Sequence, residues 1–223
     1  MAPYTTQVLL KEVLLESLEE KRVTLGRLGK RLGVSPPAVS RRVQRLVRRG
    51  YLERDGACGL RLTDAGTRIA LYALRKQEIF EAYLVHELGY RWDELSPTAT
   101  GALRMDDALI ERMYVRIGRP PRCPHGLPIP SHDGHLRLPR AAPLCEWLPG
   151  RPAVISYVLS NDREILRYLA ELGLTPGAYL VSAARIPFGD SIKVRVEGSD
   201  SVQEHVIGAT LARMVYVEGK STV

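Results

Sequence analysis

Five arginines crowd into nine residues, at Arg41, Arg42, Arg45, Arg48 and Arg49, and share their stretch with Val39, Val43, Leu46 and Val47. The four apolar residues recur at i, i+4, i+7 and i+8, one stripe of a helix. Ser40, Arg41, Arg42, Gln44, Arg45, Arg48 and Arg49 then occupy the opposite face. A guanidinium is a permanently charged planar fork that binds phosphate oxygens and guanine edges. Near the start of such a helix, Pro37, Ala38, Ser40 and Arg41 are placed to reach base edges. Lys30, Arg42, Arg45 and Arg48 are placed to touch phosphates, which positions a protein on a duplex without reading sequence. A second fragment, Cys123-x-His125, has the look of a metal-binding pair. His132 and His135 lie in a polar loop without partner cysteines and read as solvent-exposed. No Gly-rich phosphate loop, His-Glu-x-x-His or nucleophile elbow is present, so nothing points to an enzyme. Tyr51 and Trp92 are not interleaved with the arginines and read as core residues rather than stacking platforms.

The neighbouring sequence supplies what such a helix needs. Apolar residues at helical spacing from Thr5 to Glu20 predict a first helix, and residues 24–32 a second, capped by Thr24 and closed by Gly33. Ser35 is placed to cap the arginine-bearing helix and Pro36 to open it. Strands at residues 51–54 and 60–62, joined through Asp55-Gly56, predict a hairpin. A long helix follows to Leu88, capped by Thr63 or Asp64, and another over residues 97–117. Residues 119–152 are proline-rich and read as a linker. Strands at residues 154–159, 179–185, 191–196 and 213–217, with a helix at 163–172, predict a small β-rich barrel. The fold class is α+β: a winged helix-turn-helix at residues 1–63, a helical domain at 64–130, a linker at 131–152 and a β domain at 153–223.

Charge follows the same division. Residues 1–75 carry 15 Lys/Arg against 7 Asp/Glu, and the remaining 148 carry 17 against 18, so the whole excess of +7 sits in the first third. That asymmetry suits a polyanion, since neutralised phosphates release counterions, although a merely soluble basic surface gives the same count. Three widely spaced cysteines do not form a disulfide framework, no apolar run is long enough to span a membrane, and Lys11, Glu12 and Glu16 interrupt any leader-like run. These features predict a cytoplasmic protein with no membrane partner.

Several stretches resemble the diphtheria-toxin-repressor family of metal-dependent regulators: Leu32-Gly33-Val34-Ser35-Pro36-Pro37-Ala38-Val39, Leu62-Thr63-Asp64-Ala65-Gly66, Arg75-Lys76, and Cys123-Pro124-His125-Gly126-Leu127-Pro128-Ile129-Pro130. Residues 169–177 are similar to the family's SH3-like (FeoA-like) domain. The resemblance implies a homodimer joined by helices of residues 64–117, a near-palindromic double-stranded DNA operator, and repression of metal-uptake genes by Mn²⁺ or Fe²⁺. It places Ser35, Pro37 and Arg41 at DNA-contacting positions. It also places the family's core metal ligands at Ala99, Ala102 and Leu103 and near Val8, none of which offers a donor. Of the ancillary site, Gln77 stands at the histidine position and Glu81 keeps a carboxylate. A relocated site built from Glu81, Asp106 and Asp107, with Glu78, His86 and Met105 nearby in sequence, would suit Mn²⁺ or Fe²⁺; solvated surface charge is the alternative. By the same resemblance Cys123 and His125 belong to a structural loop. Beside a repressor stand two other readings: a regulator that has lost metal sensing, and an adaptor acting through the SH3-like domain.

The split between base-reading and phosphate-touching arginines is testable. Arg41→Ala should lower discrimination between a selected duplex and a random one, whereas Arg45→Ala should weaken both alike. Equal losses for both variants on both duplexes would refute the assignment.

Overall fold

The computed structural model describes residues 2–19, 22–56, 59–95, 98–147, 149–186, 190–198 and 201–219. They form two compact units. The first comprises residues 1–80, 98–118 and 129–136, and the second residues 81–97, 119–128 and 137–223. Among the described residues no helix is long and apolar enough to cross a membrane.

The first unit opens with α1 (Tyr4–Glu19), α2 (Leu25–Leu32) and α3 (Pro36–Arg48). Thr24 caps α2 by accepting from the Arg27 amide, and Gly33 ends it at φ +62, a left-handed conformation that costs glycine little. Ser35 holds the N-cap position of α3, but its hydroxyl makes no cap hydrogen bond. Pro37 at the second helical position has no N–H to offer it, so the prolines set the entry angle instead. Leu10, Val13, Leu28, Val39, Val43 and Leu46 close the core of this three-helix unit.

The wing follows as β1 (Leu52–Asp55) and β2 (Gly59–Leu62), antiparallel with Leu52 opposite Leu62 and Asp55 opposite Gly59. Ala57 and Cys58, predicted as part of the turn, lie outside the described residues. Val23 pairs with Leu60, so the segment between α1 and α2 fixes the wing against the helices. Helix α4 (Asp64–Leu88) begins where the Thr63 hydroxyl accepts from the Gly66 amide at 3.1 Å. The single helix predicted over residues 97–117 is instead a 3-10 helix (Thr98–Arg104) and then α5 (Asp107–Arg116). The break is at Asp106, whose carboxylate accepts from the Ala108 and Leu109 amides and so caps a new helix rather than continuing the old one.

In the second unit, β3 (Ala142–Pro143), β4 (Ala153–Val158), α6 (Arg163–Glu171), β5 (Tyr179–Arg185), β6 (Ser191–Glu197), β7 (Val202–Gly208), α7 (Ala209–Ala212) and β8 (Val215–Gly219) build one SH3-like sheet. Its order is β3-β8-β4-β5-β6-β7, with every pairing antiparallel. Two differences from the sequence expectation have simple causes. The supposed linker contributes β3, a two-residue edge strand whose Pro143 can occupy an edge because it need not donate to the ladder. The other edge, β7, was not predicted: most of its side chains are exposed, so it shows no apolar alternation to read.

Gly66 gives a direct test of how tightly α4 meets the wing. A methyl group there would collide with the Tyr51 carbonyl, the acceptor of the Thr63 amide at 3.2 Å. Gly66→Ala should therefore cost about 2 kcal/mol, the scale of overpacking a filled site. Gly101→Ala, where nothing lies within 4 Å of the added carbon, is the control. Urea unfolding followed by circular dichroism measures both, and equal stability of the two variants would contradict the contact.

Candidate metal centre and nucleic-acid interface

Three buried side chains bring a carboxylate, a thiol and an imidazole to one point. Glu81, Cys123 and His125 each offer a ligand atom, and these atoms all lie within 4.8 Å of one another. Glu81 stands on α4. The other two come from a tight turn in which the Gly126 amide donates to the Cys123 carbonyl and the Cys123 amide to the Leu127 carbonyl, both at 2.9 Å. Gly126 has φ +85, and a Cβ on it would run into the backbone of Ser156 and Tyr157, so glycine is required twice over. The turn is seated on the sheet by a 2.9 Å hydrogen bond from the Val158 amide to the His125 carbonyl. Arg122 adds bonds at 3.1 Å to the Gly126 and Ser156 carbonyls.

The hydrogen bonds of His125 decide which ring nitrogen faces the cluster. Nε2 lies 2.9 Å from the Trp92 carbonyl oxygen, which can only accept, so Nε2 carries the hydrogen. Nδ1 then points at Glu81 Oε2, 3.2 Å away. That nitrogen meets the carboxylate either as a protonated ion-pair partner or as a lone pair directed at a shared cation. A backbone carbonyl holding the far nitrogen is the usual way a ligating imidazole is oriented. Thiolate, imidazole and carboxylate together form a donor set for a divalent transition ion, so the residues present fit such an ion.

The sequence-predicted site residues separate here. Glu81 belongs to the cluster. Asp106 is engaged as the cap of α5. Asp107 pairs with Lys76 at 2.9 Å and accepts from the Tyr72 hydroxyl. Burial would raise the Asp107 carboxyl, but the Tyr72 and Lys76 bonds outweigh it and hold the group below its usual range. His86, His132 and His135 are exposed. Cys123 and His125, assigned a structural loop by resemblance, prove able to ligate as well. The Cys-x-His spacing was visible in the sequence, and Glu81 was named as a ligand, but with Asp106 and Asp107; its meeting with His125, 44 residues on, was not legible. Ala99, Ala102 and Leu103 are buried carbon surface with no donor to offer a metal.

On α3, Val39, Val43 and Leu46 are buried, while Arg41, Arg42, Gln44, Arg45, Arg48 and Arg49 are exposed, as are Ser35, Pro37 and Lys30. Ala38 and Ser40 are half-buried. Among the described residues, none of Lys30, Arg41, Arg42, Arg45, Arg48 and Arg49 takes part in an ion pair. On α2 the opposite holds. Arg31 reaches Glu12 at 2.8 Å and Glu19 at 2.6 Å, and Arg27 pairs with Glu16. The arginines of α2 are thus consumed by α1, and those of α3 are left for solvent or an anion.

Comparison with known proteins agrees with this architecture. Residues 63–131 match the family described as iron dependent repressor, metal binding and dimerisation domain, residues 142–219 match the FeoA domain, and residues 13–59 match the MarR family. The iron-dependent repressor IdeR of Mycobacterium leprae is 28% identical over 213 residues, covering 89% of this chain and 91% of that protein. The diphtheria toxin repressor of Corynebacterium glutamicum is 28% identical over 195 residues, 78% of this chain and 81% of its own length. A solved manganese-dependent transcriptional repressor in complex with manganese superposes with a TM-score of 0.87 at 31% identity, over 96% of this chain and 99% of that one. IdeR of T. acidophilum does so at 0.85 and 27%, over 96% and 97%. With its winged helix, helical domain and SH3-like sheet in that order, the chain belongs to the diphtheria-toxin-repressor family of metal-dependent transcriptional regulators carrying a C-terminal FeoA domain.

Proposed function

We propose that the protein is a metal-responsive transcriptional repressor that lays α3 in the major groove of a DNA operator and acts as a homodimer. The observation that carries this reading is the outer face of α3: five exposed arginines with no ion-pair partner among the described residues. Ser35, Pro37, Ala38, Ser40, Arg41 and Gln44 are the base-side residues, and Lys30, Arg42, Arg45 and Arg48 the phosphate-side ones. Residues 1–63 hold the duplex and 64–130 form the dimer. Leu109 and Val115 on α5, exposed at 44% and 53%, supply apolar surface for self-association. The metal is held by Glu81, Cys123 and His125. With a thiolate among the donors, Fe²⁺ suits the set better than Mn²⁺. Bound there, the ion supplies a positive charge that ties Glu81 to the Cys123–His125 turn. As the family resemblance implies, the regulated genes are those of metal uptake.

Duplex binding is checked by fluorescence anisotropy with a duplex selected from a random pool. A protein using four or more phosphate contacts should lose affinity steeply with salt, with log K falling along log[salt] at a slope of about −3.6 or steeper. A flat salt response, or no duplex binding with metal or with chelator, overturns the reading. Metal ligation is checked by calorimetry. Cys123→Ser should weaken Fe²⁺ binding at least tenfold. Asp106→Ala should leave it unchanged while lowering stability by about 1 kcal/mol, the worth of an N-cap. The reverse pattern would return the site to Asp106.

A further inference from the structure

Among the described residues Lys11 is the largest fully buried side chain, with 1% of the residue exposed. It lies in the middle of α1, and its ammonium has two partners on two helices. It donates to the Gln77 side-chain carbonyl on α4, and it pairs with Glu12 Oε1 at 2.9 Å. Glu12 is bound from the other side as well, since its second oxygen accepts from Arg31 Nε at 2.8 Å. A polar chain therefore runs from α4 through α1 to α2: the neutral Gln77 amide, then Lys11, Glu12 and Arg31 with charges of alternating sign. Burial alone would raise the Glu12 carboxyl, yet Lys11 and Arg31 hold it below its usual range. The charged form is thus the one the fold is built around.

The same junction is where the family resemblance places a metal ion, through side chains near Val8 and at Ala99, Ala102 and Leu103. Those residues do not fit a metal. Ala99 and Ala102 are wholly buried and Leu103 is 1% exposed, so the 3-10 helix Thr98–Arg104 meets α1 as carbon surface. The junction is closed further by the Arg104 guanidinium stacked over the Tyr4 ring at 4.1 Å. Gln77, standing at the histidine position of the ancillary site, is turned to Lys11. What a divalent ion would do here is cross-link α1 to the helices behind it by drawing donors from both around one positive charge. An ammonium with three N–H donors does the same, and no chelator can remove it.

We propose that Lys11 is a resident cation that replaces a metal ion in fastening α1 to α4, so that the winged helix stays docked on α4 without metal and the chain takes up one divalent ion rather than two. The count of one rests on the reading of Glu81, Cys123 and His125 as the metal site; the docking claim does not. Metal control then acts only through that cluster, and the fit of α1 on α4 is constitutive.

Two measurements on the full-length protein test this. Native mass spectrometry after anaerobic loading with Fe²⁺, and separately with Mn²⁺, counts ions per chain. Hydrogen exchange of α1 amides compares the loaded protein with the same protein in excess EDTA. One ion per chain is expected, with α1 exchange changing less than twofold on chelation. Lys11→Met should raise α1 exchange at least tenfold with or without metal, while β4–β6 amides keep their protection. Gln77→Met, which removes only the acceptor, should show the same effect more weakly. Two ions per chain, or α1 protection that falls with EDTA and returns with metal, overturns the proposal. So does a folded Lys11→Met whose α1 protection is unchanged. Should that variant fail to fold, the wild-type comparison with and without EDTA decides alone. No bound ion with α1 protection intact sinks the metal reading of Glu81, Cys123 and His125, and with it the count of one, but not the docking by Lys11.

Discussion

Helix α1 is buried along most of its length, and it carries charge. Lys11, Glu12 and Glu16 are all within the buried set of that helix. An ion removed from water without a partner is prohibitive, and a buried pair stripped of one member costs about 3–5 kcal/mol. Each of these charges must therefore find an opposite charge or a hydrogen-bond partner, and the partners dictate the packing around α1. Glu16 draws Arg27 and Arg31 of α2, Glu12 draws Arg31, and Lys11 draws Gln77 of α4. Shifting α2 by one turn along α1 would strand both Arg27 and Arg31. The apolar core of the winged helix determines that these helices pack; the charge ladder determines where. Because α3 follows α2 through the Gly33 turn, the orientation of the arginine face depends on that registration.

The metal-competent cluster is held by a different device. Its turn is fixed by backbone hydrogen bonds and by Gly126 lying against the chain at Ser156, and Trp92 and His125 pack with rings tilted at 40° and centroids 5.7 Å apart. The carboxylate of the cluster, Glu81, comes from a helix of 25 residues, an element too long to adjust locally. In such an arrangement the donors are placed before any ion arrives, which lowers the ordering cost of binding. On the proposed metal reading, the ion would sit where His125 Nδ1 and Glu81 Oε2 now face each other at 3.2 Å.

Much of this was legible in the sequence, and the failures are instructive. The arginine face of α3, the Thr24 cap, the Gly33 stop and the hairpin were read from local pattern, and local pattern is where one-dimensional information is strongest. The break at Asp106 was missed because a capping aspartate and a helix-surface aspartate look alike until the amides above them are placed. That ambiguity also put Asp106 and Asp107 forward as metal ligands. Lys11 was seen only as a charge interrupting apolar residues. Its role depends on Gln77, 66 residues away, and on Arg31 beyond Glu12. One clue did exist: Glu12, Glu16 and Glu19 recur at helical spacing on α1, and Arg27 and Arg31 do so on α2, two facing stripes of opposite sign. Composition alone treats all thirty-two basic residues as equivalent.

They are not equivalent, and the difference bears on how a basic domain stays folded and still binds an anion. Residues 1–75 contain about twice as many cations as carboxylates, and self-repulsion would loosen a domain in which that excess were spread evenly. Here three carboxylates of α1, Glu12, Glu16 and Glu19, neutralise Lys11, Arg27 and Arg31 inside the unit. The five arginines at residues 41–49 are exposed together on one outward face, where water solvates them until phosphate takes its place. A carboxylate moved from α1 to the exposed face of α3 would leave the net charge unchanged and harm both tasks. It would leave an arginine of α2 without its partner and an exposed one already paired.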